Sequence, residues 1–262
     1  MTRRRRAPRS VLLVATVAMI FLALPLVGLL QRMPWTNLGH LLGDQAILDS
    51  LRVSLLISVI AASLVLVLGT PLAWVLGRVR LPLRRLVRSL VLLPMVLPPV
   101  VGGTALLFAL GRRGLIGQWL ERWFDLTLPF TMAGAVVAAT FVALPFYVVT
   151  VEGALRTTRD EHEQLAATLG AGPLVVLRRV TIPRVLPAMG AGLALAWARA
   201  LGEFGATITF AGNLPGRTRT LPLATFQALE SDPEAALALS LVLLAVSLAV
   251  LVPTRDRWLP TR

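Results

Sequence analysis

Apolar residues arrive in six long runs separated by short polar stretches, with no two-residue alternation to suggest strands. The runs fall at approximately 10–30, 51–76, 89–110, 131–151, 185–211 and 235–252. Each is near the ~20 residues an α-helix needs to cross a hydrocarbon core of about 30 Å. The pattern predicts an all-α, polytopic membrane helix bundle of six spans, one transmembrane domain over residues 1–262. The third run is interrupted by Pro94, Pro98, Pro99, Gly102 and Gly103, which must bend or break it. Irregular backbone at membrane depth is tolerated where it faces protein or a polar cavity, so Pro98, Pro99, Gly102 and Gly103 are candidate pore or gate residues.

Arginines set the orientation, because short basic loops stay in the cytoplasm. Eighteen of them lie in the N-terminal segment, the second–third and fourth–fifth connections and the C-terminal segment. Seven lie on the opposite side: Arg32, Arg52, Arg112, Arg113, Arg122, Arg217 and Arg219. Both termini are therefore expected in the cytoplasm of a multi-pass plasma (inner) membrane protein. The stretch "RRRRAPR" followed by the first run reads as a signal anchor kept as the first span. The formal charge of +13 is then mostly a topology signal, and no nucleic-acid partner is inferred from it.

Composition excludes several chemistries. There is no cysteine, and the two histidines, His40 and His162, make no metal-ligand spacing. There is also no lysine, so a P-loop, whose lysine reaches the nucleotide phosphates, cannot be built. No catalytic residue, metal site or cofactor is assigned to this chain, and any energy from nucleotide must come from a partner.

The longest cytoplasmic connection, 152–184, is where such a partner has room. Thr158 followed by Glu161 fits a capping box, with Asp160, Glu161 and Glu163 in the first turns. Gly170, then Gly172–Pro173, should stop the helix after about eleven residues, or roughly 16 Å. Periodicity alone allows an ordinary connecting helix. The residues "EQLAATLGAGPLVVLRRVTIP" say more: they resemble the EAA motif of bacterial ABC importer permeases. Glu163 takes the acidic position, Ala166 the second alanine and Gly170 the glycine, with Val180, Thr181, Ile182 and Pro183 following. Leu165 departs from the motif's first alanine. The resemblance implies a coupling helix, with Glu163, Gln164, Ala166, Ala167 and Gly170 at the contact with an ATP-binding subunit and Glu163 facing that subunit.

The fifth run carries two opposite charges, Arg199 and Glu203, at i and i+4. Ionisable groups at mid-membrane are costly unless paired or wetted, which predicts an intramembrane ion pair. Its role is open between fixing the span and contacting cargo. Around it, "RALGEFGATITFAGNLPGRTRTLPLATF" is similar to the same stretch of molybdate-type permeases, as is "LLPMVLPPVVGGTALLFALGRRGLIG" in the third run. Thr207 and Thr209 could hydrogen-bond a passing oxyanion or bond back to their own helix. Gly202, Gly205 and Gly212 with Ala206 and Ala211 could form a thin seam between two copies.

The resemblance covers roughly residues 50 to 250. It implies a type I ABC importer permease that passes molybdate or tungstate, paired with a second copy of itself. Its other implied partners are two ATP-binding subunits, an extracytoplasmic molybdate-binding protein and the lipid bilayer. A sulfate or thiosulfate permease is the alternative cargo class. An ion-gradient-driven secondary transporter is more remote, because Glu203 is the only acidic residue well inside a predicted span and Arg199 already partners it.

Overall fold

A computed structural model describes residues 8–79, 81–158 and 161–258, with side chains up to 250. Arg3 to Arg6, Arg80, Arg159, Asp160 and Arg262 of the sequence reading lie outside the described residues. The described residues are helical and contain no strand.

Among the described residues five helical stretches are long and apolar enough to cross a membrane: α1 (Arg9–Gln31), α3 (Gln45–Arg78), α7 (Met132–Thr157), Pro173–Leu201, which ends in α10 (Ile182–Leu201), and Pro233–Val250 of α13 (Pro233–Trp258). Short α2 (Leu38–Leu42) leads into α3. The third predicted span is not one helix. It is α4 (Arg84–Val96) and α5 (Pro99–Leu110), meeting at 118° across Leu97–Pro98. Pro98 and Pro99 cannot donate the backbone hydrogen bonds that would continue α4, so the break falls where the sequence placed it. The fifth predicted span also divides, since α10 ends at Leu201 and α11 (Gly205–Phe210) starts afresh. Gly202 and Gly205, read as parts of one thin helix, flank that break.

The centre of the bundle is α3, α7 and α10 packed together. Their contact faces are small, which lets backbones approach without a hydrophobic driving force. Gly69 of α3 leaves room for the Tyr147 ring, because a Cβ there would lie 2.6 Å from Tyr147 Cδ1. At the next residue, the Thr70 and Tyr147 hydroxyls hydrogen-bond at 2.7 Å. Ser54 of α3 accepts from the Leu221 N–H at the start of α12 (Leu221–Ser231), satisfying an orphan donor of that helix. By contrast α1 buries no residue in the chain and is open to lipid or a neighbouring subunit on all sides.

At its far end α7 runs six residues beyond the predicted limit of 151. Glu152, read as the first residue of a loop, is instead a buried helical residue. The next elements are α8 (Glu161–Thr168), α9 (Pro173–Val176) and a single π-helical turn over Leu177–Thr181 that leads into α10. Pro183, in the first turn of α10, lacks the N–H that an α-helical Arg179 carbonyl needs, which favours the wider turn there.

Candidate functional site

Two places bring the predicted residues together. The first is α8. It spans eight residues rather than the expected eleven, and Gly170 turns the chain away with φ +87°, a conformation that favours glycine. The capping box read from Thr158 to Glu161 runs across residues 159 and 160, which lie outside the described residues. Thr158 is the C-cap of α7, and its hydroxyl donates to the Ala154 carbonyl at 2.8 Å.

Glu163 points inward rather than toward a partner. Its Oε1 takes a hydrogen bond from Arg78 Nη2 at 3.0 Å and another from Thr181 Oγ1 at 3.0 Å. Arg78 is the last residue of α3 and also donates to the Thr158 carbonyl at 3.2 Å. One carboxylate thus ties α8 to the end of α3 and to the turn that opens α10. The facing expected from the motif is corrected: Glu163 clamps the helix to its own spans. Beside the clamp lies a cleft of about 230 Å³ whose lining includes Trp74, Ala167, Pro173 and Leu177. The surface left for a partner is apolar, with Leu165 61% and Leu169 80% exposed, and Gln164 and Ala167 exposed beside them. Ala166 is half-buried.

A second ionic knot sits on the same end of the bundle, and sequence reading missed it. Glu152 of α7 is surrounded by Arg84 Nη2 at 3.7 Å, Arg88 Nε at 3.6 Å and Arg156 Nη1 at 3.7 Å. Arg84 also donates to the Leu76 carbonyl of α3. The signal was present in the spacing: Arg84 and Arg88 are four apart, as are Glu152 and Arg156. An underestimated helix length hid it.

The second place is the broken fifth span. Arg199 Nη1 meets Glu203 Oε2 at 2.6 Å, with the carboxylate 1% exposed. The ion pair forms, but not along one helix, because Gly202 between them is the C-cap of α10. Arg199 occupies the last turn of α10, where a cation complements the helix dipole. Glu203 sits at the start of α11, and its Oε1 accepts from the Ala206 N–H at 2.8 Å. The opposite charges are the two ends of a break, neutralising each other across it.

That break packs on the other one. A Cβ on Gly205 would lie 2.6 Å from Pro99 Cβ, and one on Gly103 would lie 2.7 Å from Thr209 Cβ. Gly102 is covered by Phe141 of α7. Of the candidate gate residues, Gly102, Gly103 and Thr207 are therefore packing positions, while Pro98 and Pro99 are exposed at the bend. Thr209 donates to the Gly205 carbonyl at 2.8 Å and so bonds back to its own helix. The small residues expected at a seam between copies also serve this chain: Gly205 seats Pro99, and Gly212 makes a turn at φ +74° against Phe130.

Residues 69–259 match the family of inner-membrane components of binding-protein-dependent transport systems. The chain belongs to this family. It is 47% identical to the molybdenum transport system permease protein ModB of Mycobacterium tuberculosis, over 94% of this chain and 92% of that protein. With the ModB permease of Escherichia coli K12 the identity is 42%, over 82% of this chain and 92% of that one. The sulfate transport system permease CysT of Salmonella typhimurium is 38% identical, over 88% and 85% respectively. The fold is that of ABC importer permeases. A permease from a bacterial alginate importer superposes with a TM-score of 0.76 at 16% identity, covering 97% of this chain and 96% of the other. This permease is thus a multi-pass membrane transport subunit.

Proposed function

We propose that this chain is the membrane permease of an ATP-driven importer of molybdate, or of the similar tetrahedral oxyanion tungstate. It works as two copies with two ATP-binding subunits and an extracytoplasmic binding protein, with both termini cytoplasmic. One observation carries the cargo assignment: identity to molybdenum permeases reaches 47% over nearly the whole chain, against 38% for the sulfate permease. The chain itself binds no cofactor, and ATP and Mg²⁺ bind on the partner ATPase.

The geometry supplies a route for the energy. The exposed Leu165 and Leu169 of α8 enter a recess on the ATP-binding subunit, and Gly170 lets the chain turn back to the membrane. Closure of the ATPase pair displaces α8. Because Glu163 holds Arg78 and Thr181 together, the ends of α3 and α10 move with it. The movement of α10 reaches the Arg199–Glu203 junction, and α11 passes it to α5 through the Gly205–Pro99 and Gly103–Thr209 contacts. The exposed Leu97–Pro98 bend is where α5 can pivot to open or close the path.

The cargo assignment is tested by uptake of labelled molybdate into vesicles carrying this chain with its ATPase and binding protein. Uptake that needs ATP and is blocked by excess tungstate, but not by excess sulfate, is expected. Sulfate entry without molybdate entry would move the chain to the sulfate class and leave the fold untouched.

A further inference from the structure

The helix between α5 and α7 has no assigned role. This element, α6 (Gly117–Phe124), reads "GQWLERWF" and buries only Gly117 in the chain. It precedes the N-terminus of α7, whereas α8 follows the other end, so the two lie at opposite ends of the bundle.

Ile116, Trp119 and Trp123 share one face at i, i+3 and i+7, with Leu115, Phe124 and Leu126 beside them. All six are exposed, Trp123 at 67% and Phe124 at 71%. The two indoles pack with ring centroids 5.3 Å apart. Gln118 and Glu121 take the opposite face, Arg122 borders the aromatic one, and Asp125 caps the helix. Arg112 pairs with Glu121 at 3.3 Å, and Arg122 lies over the Trp119 ring at 5.2 Å. With Arg113, three arginines face two carboxylates here, leaving one net positive charge.

We infer that α6 lies in the head-group layer of the bilayer and pins the far end of α5 there. Depth supports lipid as the occupant. Gly102, near the start of α5, meets Phe141, well inside α7. From that level the nine residues to Gly111 climb about 13.5 Å, which brings Gly111 close to the edge of a half-bilayer of about 15 Å. Leu115, beside that face, donates its N–H to the carbonyl of Phe108 on α5, whose ring is also exposed. Tryptophans with interleaved arginines at that level are what an amphipathic interfacial helix carries, indoles toward acyl chains and guanidinium groups toward phosphates. A pinned end makes α5 a lever: displacement at the Pro98 bend tilts it about a fixed point.

The cysteine-free chain allows a direct test. Trp123→Cys and Gln118→Cys are each spin-labelled in the complete transporter, with cysteine-less partner subunits, in proteoliposomes. The Trp123→Cys label should be accessible to oxygen and shielded from a water-soluble nickel complex; the Gln118→Cys label should show the reverse. Adding the binding protein should change neither. Equal nickel access at both sites would overturn the inference. So would immobilisation of the Trp123→Cys label only with the binding protein, or dipolar broadening from its counterpart in a second copy. An independent check is native fluorescence in brominated-lipid vesicles. The emission lost on Trp119→Phe/Trp123→Phe substitution should be the strongly quenched fraction, and an unquenched fraction would refute lipid contact.

Discussion

Replacing Arg199 should harm this protein more than replacing Arg199 and Glu203 together. The Glu203 carboxylate is 1% exposed, and its two oxygens have one partner each: Arg199 Nη1 and the Ala206 N–H. Arg199→Met keeps most of the side-chain volume but strands a buried charge, a loss worth about 3–5 kcal/mol. Glu203→Gln removes the charge and keeps an oxygen for the Ala206 N–H. Arg199 retains a 28% exposed side chain and a route to water, so this variant should lose only about 1–3 kcal/mol. The double variant leaves no charge and should lose about 1–2 kcal/mol, less than Arg199→Met alone. The thermal unfolding midpoint of the purified complex is the assay. At about 2–4 °C per kcal/mol for a chain of this size, Arg199→Met should melt roughly 6–20 °C below the parent. The double variant should recover much of that. If the double loss equals the sum of the single losses, the two groups do not interact and the break is not held by their pairing.

Other sites give sharper contrasts. Gly103→Ala should destabilise by about 1–3 kcal/mol, because its Cβ meets the Ala206 backbone oxygen 2.8 Å away, which cannot move without α11. Gly102→Ala should be milder in the same melting assay, since its neighbour at 3.3 Å is a Phe141 ring edge that can shift. Glu152→Gln should lower the melting midpoint more than Arg84→Gln, Arg88→Gln or Arg156→Gln singly. Those guanidinium groups are each more than a third exposed, so each pair contributes about 1 kcal/mol or less, while their shared carboxylate is buried. Gly170→Val should leave the spans folded but impair ATP-dependent uptake, because a β-branched residue resists φ +87° and the turn after α8 is lost.

Much of the architecture was legible in the apolar runs, since a spanning helix needs length and hydropathy and little else. The break in the third span was legible too, because Pro98–Pro99 removes two consecutive donors. The break in the fifth span was not. Gly202 and Gly205 are common in membrane helices, and Arg199 and Glu203 at i and i+4 read equally well along one continuous turn. What decided it was tertiary: α11 is seated on Pro99, a contact no local pattern encodes. The α8 region was found by its motif, yet the direction of Glu163 depended on Arg78, 85 positions earlier. Glu152 was missed because a predicted helix end fell one residue short of it, which moved a buried carboxylate into a loop.

The most direct test of the account couples two rates in one preparation: ATP hydrolysis and molybdate uptake in proteoliposomes of the assembled transporter. Parent, Glu163→Gln and the charge exchange Arg78→Glu/Glu163→Arg are compared. A clamp carrying displacement from α8 into α3 and α10 predicts that Glu163→Gln still hydrolyses ATP but imports roughly ten- to hundredfold less per ATP. That is the scale of losing one charge-assisted bond of about 1.5–3 kcal/mol. The exchanged pair should recover part of the ratio. Uptake per ATP unchanged in Glu163→Gln, or molybdate entry indifferent to ATP in the parent, would contradict the account.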